Sequence, residues 1–176
     1  MPVEGIDVNN EIQSILYAAD LSDDCEAVLA YAITLANRLG ARLQVLTVIP
    51  DEREKSLIEV DSYIPQDELD KYHDARALRV KQHIEAQVAA FYAVRTDKMP
   101  ERPITEITVH EGDDVAELIL DEAGKGSADL ILMASRGEGI LMGLLFGSVV
   151  QDVTRKSRVP LLLLPIHAEP EPEARP

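Results

Sequence analysis

The residues best suited to chemistry fall in two short runs, Met133-Ala134-Ser135-Arg136-Gly137 and, after nine intervening residues, Gly147-Ser148-Val149. The aliphatic stretch Leu130 to Met133 drops into small, flexible residues, and helical character resumes only at Ser148. A buried parallel strand emptying into a loop and then a helix N-terminus has this pattern. Unpaired backbone N–H groups and the helix dipole favour an anion there. The pattern predicts a cradle for nucleotide phosphates. An earlier strand exits into Ala18-Ala19-Asp20, which offers the same small residues and adds a carboxylate. In open α/β sheets, ligands bind outside the carboxyl ends of strands where the strand order reverses. If these two strands are neighbours, their exits face one crevice. A plainer role stands beside the ligand role, because Ser148-Val149-Val150-Gln151 also has the spacing of a capping box, worth about 1 kcal/mol to a helix without any ligand.

Familiar catalytic motifs fail on spacing or composition. Gly137-Glu138-Gly139-Ile140-Leu141-Met142-Gly143 has one residue too many before its last glycine for a dinucleotide fingerprint, and Gly143-Leu144-Leu145-Phe146-Gly147-Ser148 lacks the lysine of a Walker loop. There is no Gly-x-Ser-x-Gly elbow. The one cysteine, Cys25, permits neither an internal disulfide nor a cysteine metal cluster, and its place on an apolar helix face makes it a small core residue. His73 and His83, ten residues apart on one helix, are expected to be surface or packing residues rather than metal ligands. No general base or nucleophile is set up for turnover, so an enzyme is not expected and any hydrolysis should be slow or incidental.

The elements that position these runs alternate in type. Gln13–Ala19 is nearly continuous in apolar character, as in a strand covered on both faces. Ser22 is expected to cap a helix carrying Val28, Ala32, Leu35, Ala36 and Leu39, which Gly40 ends. Arg42–Ile49 is a second strand. The charged stretch from Asp51 to Gln66 reads as a surface excursion, followed by a helix from Asp67 to about Val94 with Leu69, Tyr72, Val80, Ile84, Val88 and Phe91 in one stripe. A loop over Thr96–Pro103 leads to a third strand, Ile104–His110. Asp114-Val115-Ala116-Glu117 has capping-box spacing and opens a helix that ends at Gly124. Ala128–Ala134 is the fourth strand, Ser148 to about Ser157 the last helix, and Val159–Leu164 a fifth strand stopped by Pro165. Pro160 suits a sheet edge. The result is an α/β fold, a doubly wound, five-stranded, mostly parallel sheet with helices on both faces.

A single domain over residues 12–166 is expected, between a flexible N-terminus, 1–11, and a disordered tail, 167–176. Net charge is −15, which repels phosphate backbones and anionic lipid and argues against nucleic acid and membrane surfaces as general partners. Leu130–Val150 is apolar enough to suggest a membrane span, but Arg136, Glu138 and three glycines interrupt it. The first ten residues have no basic and apolar segments of a secretion signal, so a cytoplasmic location is expected.

These residues resemble the universal stress proteins, whose nucleotide-binding members carry Gly-x-x-Gly, nine residues, then Gly-Ser or Gly-Thr. Ala134-Ser135-Arg136-Gly137 and Gly147-Ser148 keep that spacing with alanine for the first glycine. The resemblance extends over Ile15–Ser22, Ala30–Ala36, Leu43–Ile49, Gly112, Ala128–Ile131 and Pro160–Leu164. It implies a Rossmann-like fold of the adenine nucleotide alpha hydrolase type, binding ATP or a related adenine nucleotide together with Mg²⁺. Asp20, beside Ala18 and Ala19, would lie by the ribose, and the main chain of Val48 would meet the adenine edge, with Gly112 bordering the base. Ser135 and Gly137, in the run from Met133 through Arg136, would line the ribose and phosphates, and Gly147, Ser148 and Val149 would donate to the phosphates. The resemblance further implies a regulatory stress-response module that forms a homodimer through the edge strand Val159–Leu164. The alternative is a dimeric interaction protein of the same fold that binds no nucleotide.

Overall fold

Five short aliphatic strands that must be covered on both faces determine this architecture. The structure, a computed structural model, describes residues 11–21, 25–49, 66–95, 103–136 and 147–166. Its elements run β1 (Ser14–Ala19), α1 (Cys25–Leu39), β2 (Arg42–Ile49), α2 (Gln66–Ala93), β3 (Ile104–Glu111), α3 (Val115–Lys125), β4 (Leu130–Arg136), α4 (Ser148–Lys156) and β5 (Leu161–Ile166). The strands lie in the order β3-β2-β1-β4-β5, and every pairing is parallel. The expected doubly wound sheet is therefore present, and it is wholly rather than mostly parallel.

Alternation along each strand divides the core in two. Ile15, Tyr17 and Ala19 of β1, with Leu43 and Val45 of β2 and Leu130 and Leu132 of β4, pack under α1 and α2. Leu16, Leu46, Ile131 and Met133 face the other way, against Ala116, Ile119 and Ala123 of α3 and Val150 and Val153 of α4. Leu16, Ile15, Leu132 and Ile131 are wholly buried at the sheet centre, so truncating any of them to alanine costs about 2–5 kcal/mol.

Several boundaries differ from the sequence expectation. β4 begins later and runs on through Ser135 to Arg136, because β5 extends alongside it: Ala134 pairs with Leu164, Ser135 with Pro165 and Arg136 with Ile166. Pro160 lies just before β5, where its carbonyl accepts the Ile131 N–H at 2.9 Å, and Pro165 lies within the strand instead of ending it. An edge strand tolerates the missing donor. On α2, Ile84 is buried, but Tyr72 is exposed and His73 takes the buried position in that turn. Gly40 closes α1 with φ +67°, a left-handed conformation that glycine adopts without strain. The Asp114 cap is formed, its Oδ1 accepting the Glu117 N–H at 2.9 Å. The proposed Ser22 cap, the 51–66 excursion, most of the 96–103 loop and both chain ends fall largely or wholly outside the described residues. Among the described residues no helix is long and apolar enough to cross a membrane. The ends of the apolar Leu130–Val150 stretch belong to β4 and α4.

Candidate functional site

The strand order reverses between β1 and β4, since β2 and β3 build outward from one side of β1 and β4 and β5 from the other. Ala18 pairs with Met133 there, so Ala19-Asp20 and Ala134-Ser135 leave the sheet side by side. This is the topological position at which open α/β sheets bind ligands. Ala18, Val48 and Met133 belong to the face covered by α3 and α4. Ala134 packs instead with the α1 and α2 face. The methyl group that distinguishes it from glycine thus points away from α4, and its backbone φ is not positive. Alanine is accommodated without strain. Ser135 is buried within β4 rather than in a loop, and its hydroxyl lies 3.5 Å from the Leu164 carbonyl, which accepts from it. Arg136 is the last residue of β4, and Gly137 lies outside the described residues.

The helix end in front of this crevice is open. The N-cap of α4 is Gly147, with φ −60° and ψ 158°, and no side chain caps the helix. The capping box expected at Ser148 is consequently absent. Ser148 is already the first helical residue, too far into the turn to act as the cap. The first N–H returned to the backbone is that of Gln151, bonded to the Gly147 carbonyl at 3.0 Å. The N–H groups of Ser148 and Val149 precede it and have no acceptor within the helix. A Cβ added to Gly147 meets nothing within 4 Å, so the approach to these donors is unobstructed.

A cavity of about 430 Å³ opens between the N-termini of α3 and α4, lined by Ser148 and Val149 together with Asp113, Asp114 and Asp152. Donors and carboxylates therefore share one wall. Asp114 is committed to its helix cap, and Asp152 lies 3.9 Å from Arg155 at an exposed position where the pairing is weak. A larger depression of about 690 Å³ lies at the opposite rim, beside Gln13, Gly40 and Arg42, away from the strand exits.

Gly112 follows β3 at the same rim as the crevice. Its N–H bonds the Ile49 carbonyl at 3.0 Å, and a Cβ there would come within 2.7 Å of Leu118 Cδ1. The residue is glycine because α3 passes too close for a side chain. Val48, half-buried, sits one residue before that carbonyl. Asp20 is exposed at the β1 exit.

Two features were not evident from sequence spacing. The carboxylate of Glu111 reaches the buried His73 of α2 at 2.8 Å, and His110 Nε2 reaches Glu122 of α3 at 3.1 Å. Adjacency of His110 and Glu111 on a strand signals opposite faces, but their partners lie on separate helices that only the fold brings in. Cys25 is buried, with its sulfur 3.5 Å from the Tyr17 hydroxyl. Burial pushes the Cys25 thiol up and outweighs the Tyr17 hydrogen bond that lowers it. Burial likewise pushes the Tyr17 phenol up, with Cys25 adding to it. A protonated, enclosed thiol is a poor nucleophile.

Comparisons with known proteins follow this geometry. The model of the universal stress protein family matches residues 11–165. Stress response protein NhaX of Bacillus subtilis is 41% identical over 59 residues, 34% of this chain and 35% of NhaX. The chain thus spans about a third of that relative. Universal stress protein UspA from Lactobacillus plantarum has the same fold, with a TM-score of 0.62 at 21% identity, covering 89% of this chain and 99% of that one. A universal stress protein solved in complex with cAMP matches at a TM-score of 0.58 and 19% identity, covering 88% and 98%. With a family match across nearly all of its length and a sheet of the same topology as expected, the chain belongs to the universal stress protein family.

Proposed function

We propose that this protein binds an adenine nucleotide, ATP with Mg²⁺ or a less charged relative, in the crevice at the β1–β4 switch point. On this reading it works as a regulatory stress-response module in the cytoplasm rather than as an enzyme. The observation that carries the reading is the uncapped N-terminus of α4, which aims the Ser148 and Val149 N–H groups into a cavity at the strand exits. Small residues at Ala18, Ala19 and Ala134 leave room for ribose beside Asp20, and Val48 and Gly112 border the base. The cAMP complex of a structural relative supports the ligand class. Asp113, Asp114 and Asp152 oppose bare phosphate charge, so Mg²⁺ would act by neutralising the phosphates as they enter.

The same carboxylates support the second reading, an interaction protein whose crevice takes no nucleotide. Calorimetric titration with Mg²⁺-ATP and with AMP separates the two. Saturable binding supports the first, and no heat at millimolar nucleotide supports the second. A homodimer through β5 is part of the proposal. It places an apolar edge strand, Leu161–Ile166, against a second copy and satisfies its outer backbone groups. Light scattering that returns the monomer mass of 19.4 kDa at micromolar protein rejects it.

A further inference from the structure

The last two residues of β3 are held from opposite faces of the sheet by pairs of the same chemistry. Glu111 faces α2 and meets His73 Nδ1 at 2.8 Å, while His110 faces α3 and meets Glu122 at 3.1 Å. The imidazole of His73 is 3% exposed, and its Nε2 finds no partner among the described residues, so its polar contact there is Glu111. β3 is the edge strand of the sheet, paired only with β2. Its end would otherwise fray, and directly beyond it stands Gly112, bonded to the Ile49 carbonyl. Stability alone would be served as well by apolar residues, because burying a histidine–carboxylate pair costs about as much as it returns. What the pairs add is a fixed direction for the strand end.

We propose that His73–Glu111 and His110–Glu122 form a two-sided clamp that sets the position of Gly112 and thereby the affinity of the neighbouring crevice. The second half of this statement rests on the nucleotide reading above. His73 and Glu122 are positioning residues, acting through β3 without touching ligand. Because they lie on α2 and α3, whatever shifts either helix changes the base end of the crevice.

Amide hydrogen exchange at Gly112 reports the Ile49 bond directly, and calorimetry with Mg²⁺-ATP reports the crevice. In His73→Leu, Gly112 exchange and the Kd should each rise roughly tenfold, the scale of one charge-assisted hydrogen bond. His73→Gln, which still offers an N–H, should stay within about twofold. Glu122→Ala, on the more exposed side, should move both readouts in the same direction by a smaller factor, and it serves where His73→Leu does not fold. Unchanged Gly112 exchange overturns the clamp, and so does faster exchange with an unchanged Kd. Wild-type protein that takes up no nucleotide, with faster Gly112 exchange in His73→Leu, overturns the nucleotide reading and upholds the clamp.

Discussion

The carboxylate of Asp129 accepts the backbone N–H of Ser14 at 3.0 Å, and the same oxygen accepts that of Gln13 at 2.9 Å. The Asp129 N–H in turn bonds the Ser14 carbonyl at 2.9 Å, so the start of β4 is stapled to the start of β1. Asp129→Ala strands a buried donor at Ser14 and should cost about 1–3 kcal/mol in urea unfolding. Asp129→Asn keeps one acceptor oxygen and should cost about half as much. Nucleotide binding, at the other end of the sheet, should be unaffected in whatever fraction stays folded.

Gly147 separates the fold from the proposed function. Its φ of −60° suits any residue and the space around it is open, so Gly147→Val should fold with a loss of no more than about 1 kcal/mol. The added side chain should nevertheless shield the Ser148 and Val149 donors and abolish nucleotide uptake. Gly147→Ser makes the opposite prediction for stability. A serine supplies the missing cap and should raise stability by roughly 0.5–1 kcal/mol, while its hydroxyl competes with phosphate for the same N–H groups. Calorimetry beside thermal unfolding reads both; full nucleotide affinity in Gly147→Val would show that the cradle lies elsewhere.

Magnesium dependence follows from the acidic wall. With Asp113, Asp114 and Asp152 facing Ser148, EDTA should weaken ATP binding by roughly tenfold or more and AMP binding much less, because repulsion scales with phosphate charge. Asp152→Asn should relieve part of the EDTA effect. Equal loss for ATP and AMP would remove the carboxylates from the explanation.

Alkaline stability should decline through Tyr17 and Cys25. Both pKa values are raised in the fold, so the native state keeps its protons while the unfolded chain releases them. The stabilisation is therefore complete below the ordinary thiol value of 9.0 and is lost progressively as pH climbs past it and past the ordinary phenol value of 10.0. Cys25→Ala should flatten the first part of the fall in unfolding free energy. The native thiol should also resist alkylation at pH 8 until the protein is denatured.

The alternation of aliphatic runs with amphipathic segments was legible because burial on both faces dictates it. Residues such as Ile15, Leu43 and Leu132 therefore marked their strands plainly. The juxtaposition of Ala18 with Met133 was legible only as a condition, since strand order is set by packing and not by any local signal. Where β4 ends was misread because Ala134 and Ser135 are small. Their smallness looked like a loop, but β5 continues alongside and keeps both in register. Serine at position 148 matched a cap by type and spacing, yet the chain enters α4 one residue earlier, at Gly147. His73 and Tyr72 exchanged places because an ionisable partner, Glu111, waits beneath the helix, 38 residues further along the chain. No periodicity of α2 encodes that.

The open end of α4 has an evolutionary consequence. A pocket whose donors belong to the main chain contains no side chain whose deletion removes them, so loss of function here should come from added atoms. Substitutions that enlarge Gly147, Ala18 or Gly112 would silence it, while most truncations nearby would pass unnoticed. Among relatives, the binding and non-binding forms should then differ by the bulk admitted at these few positions rather than by any missing functional group.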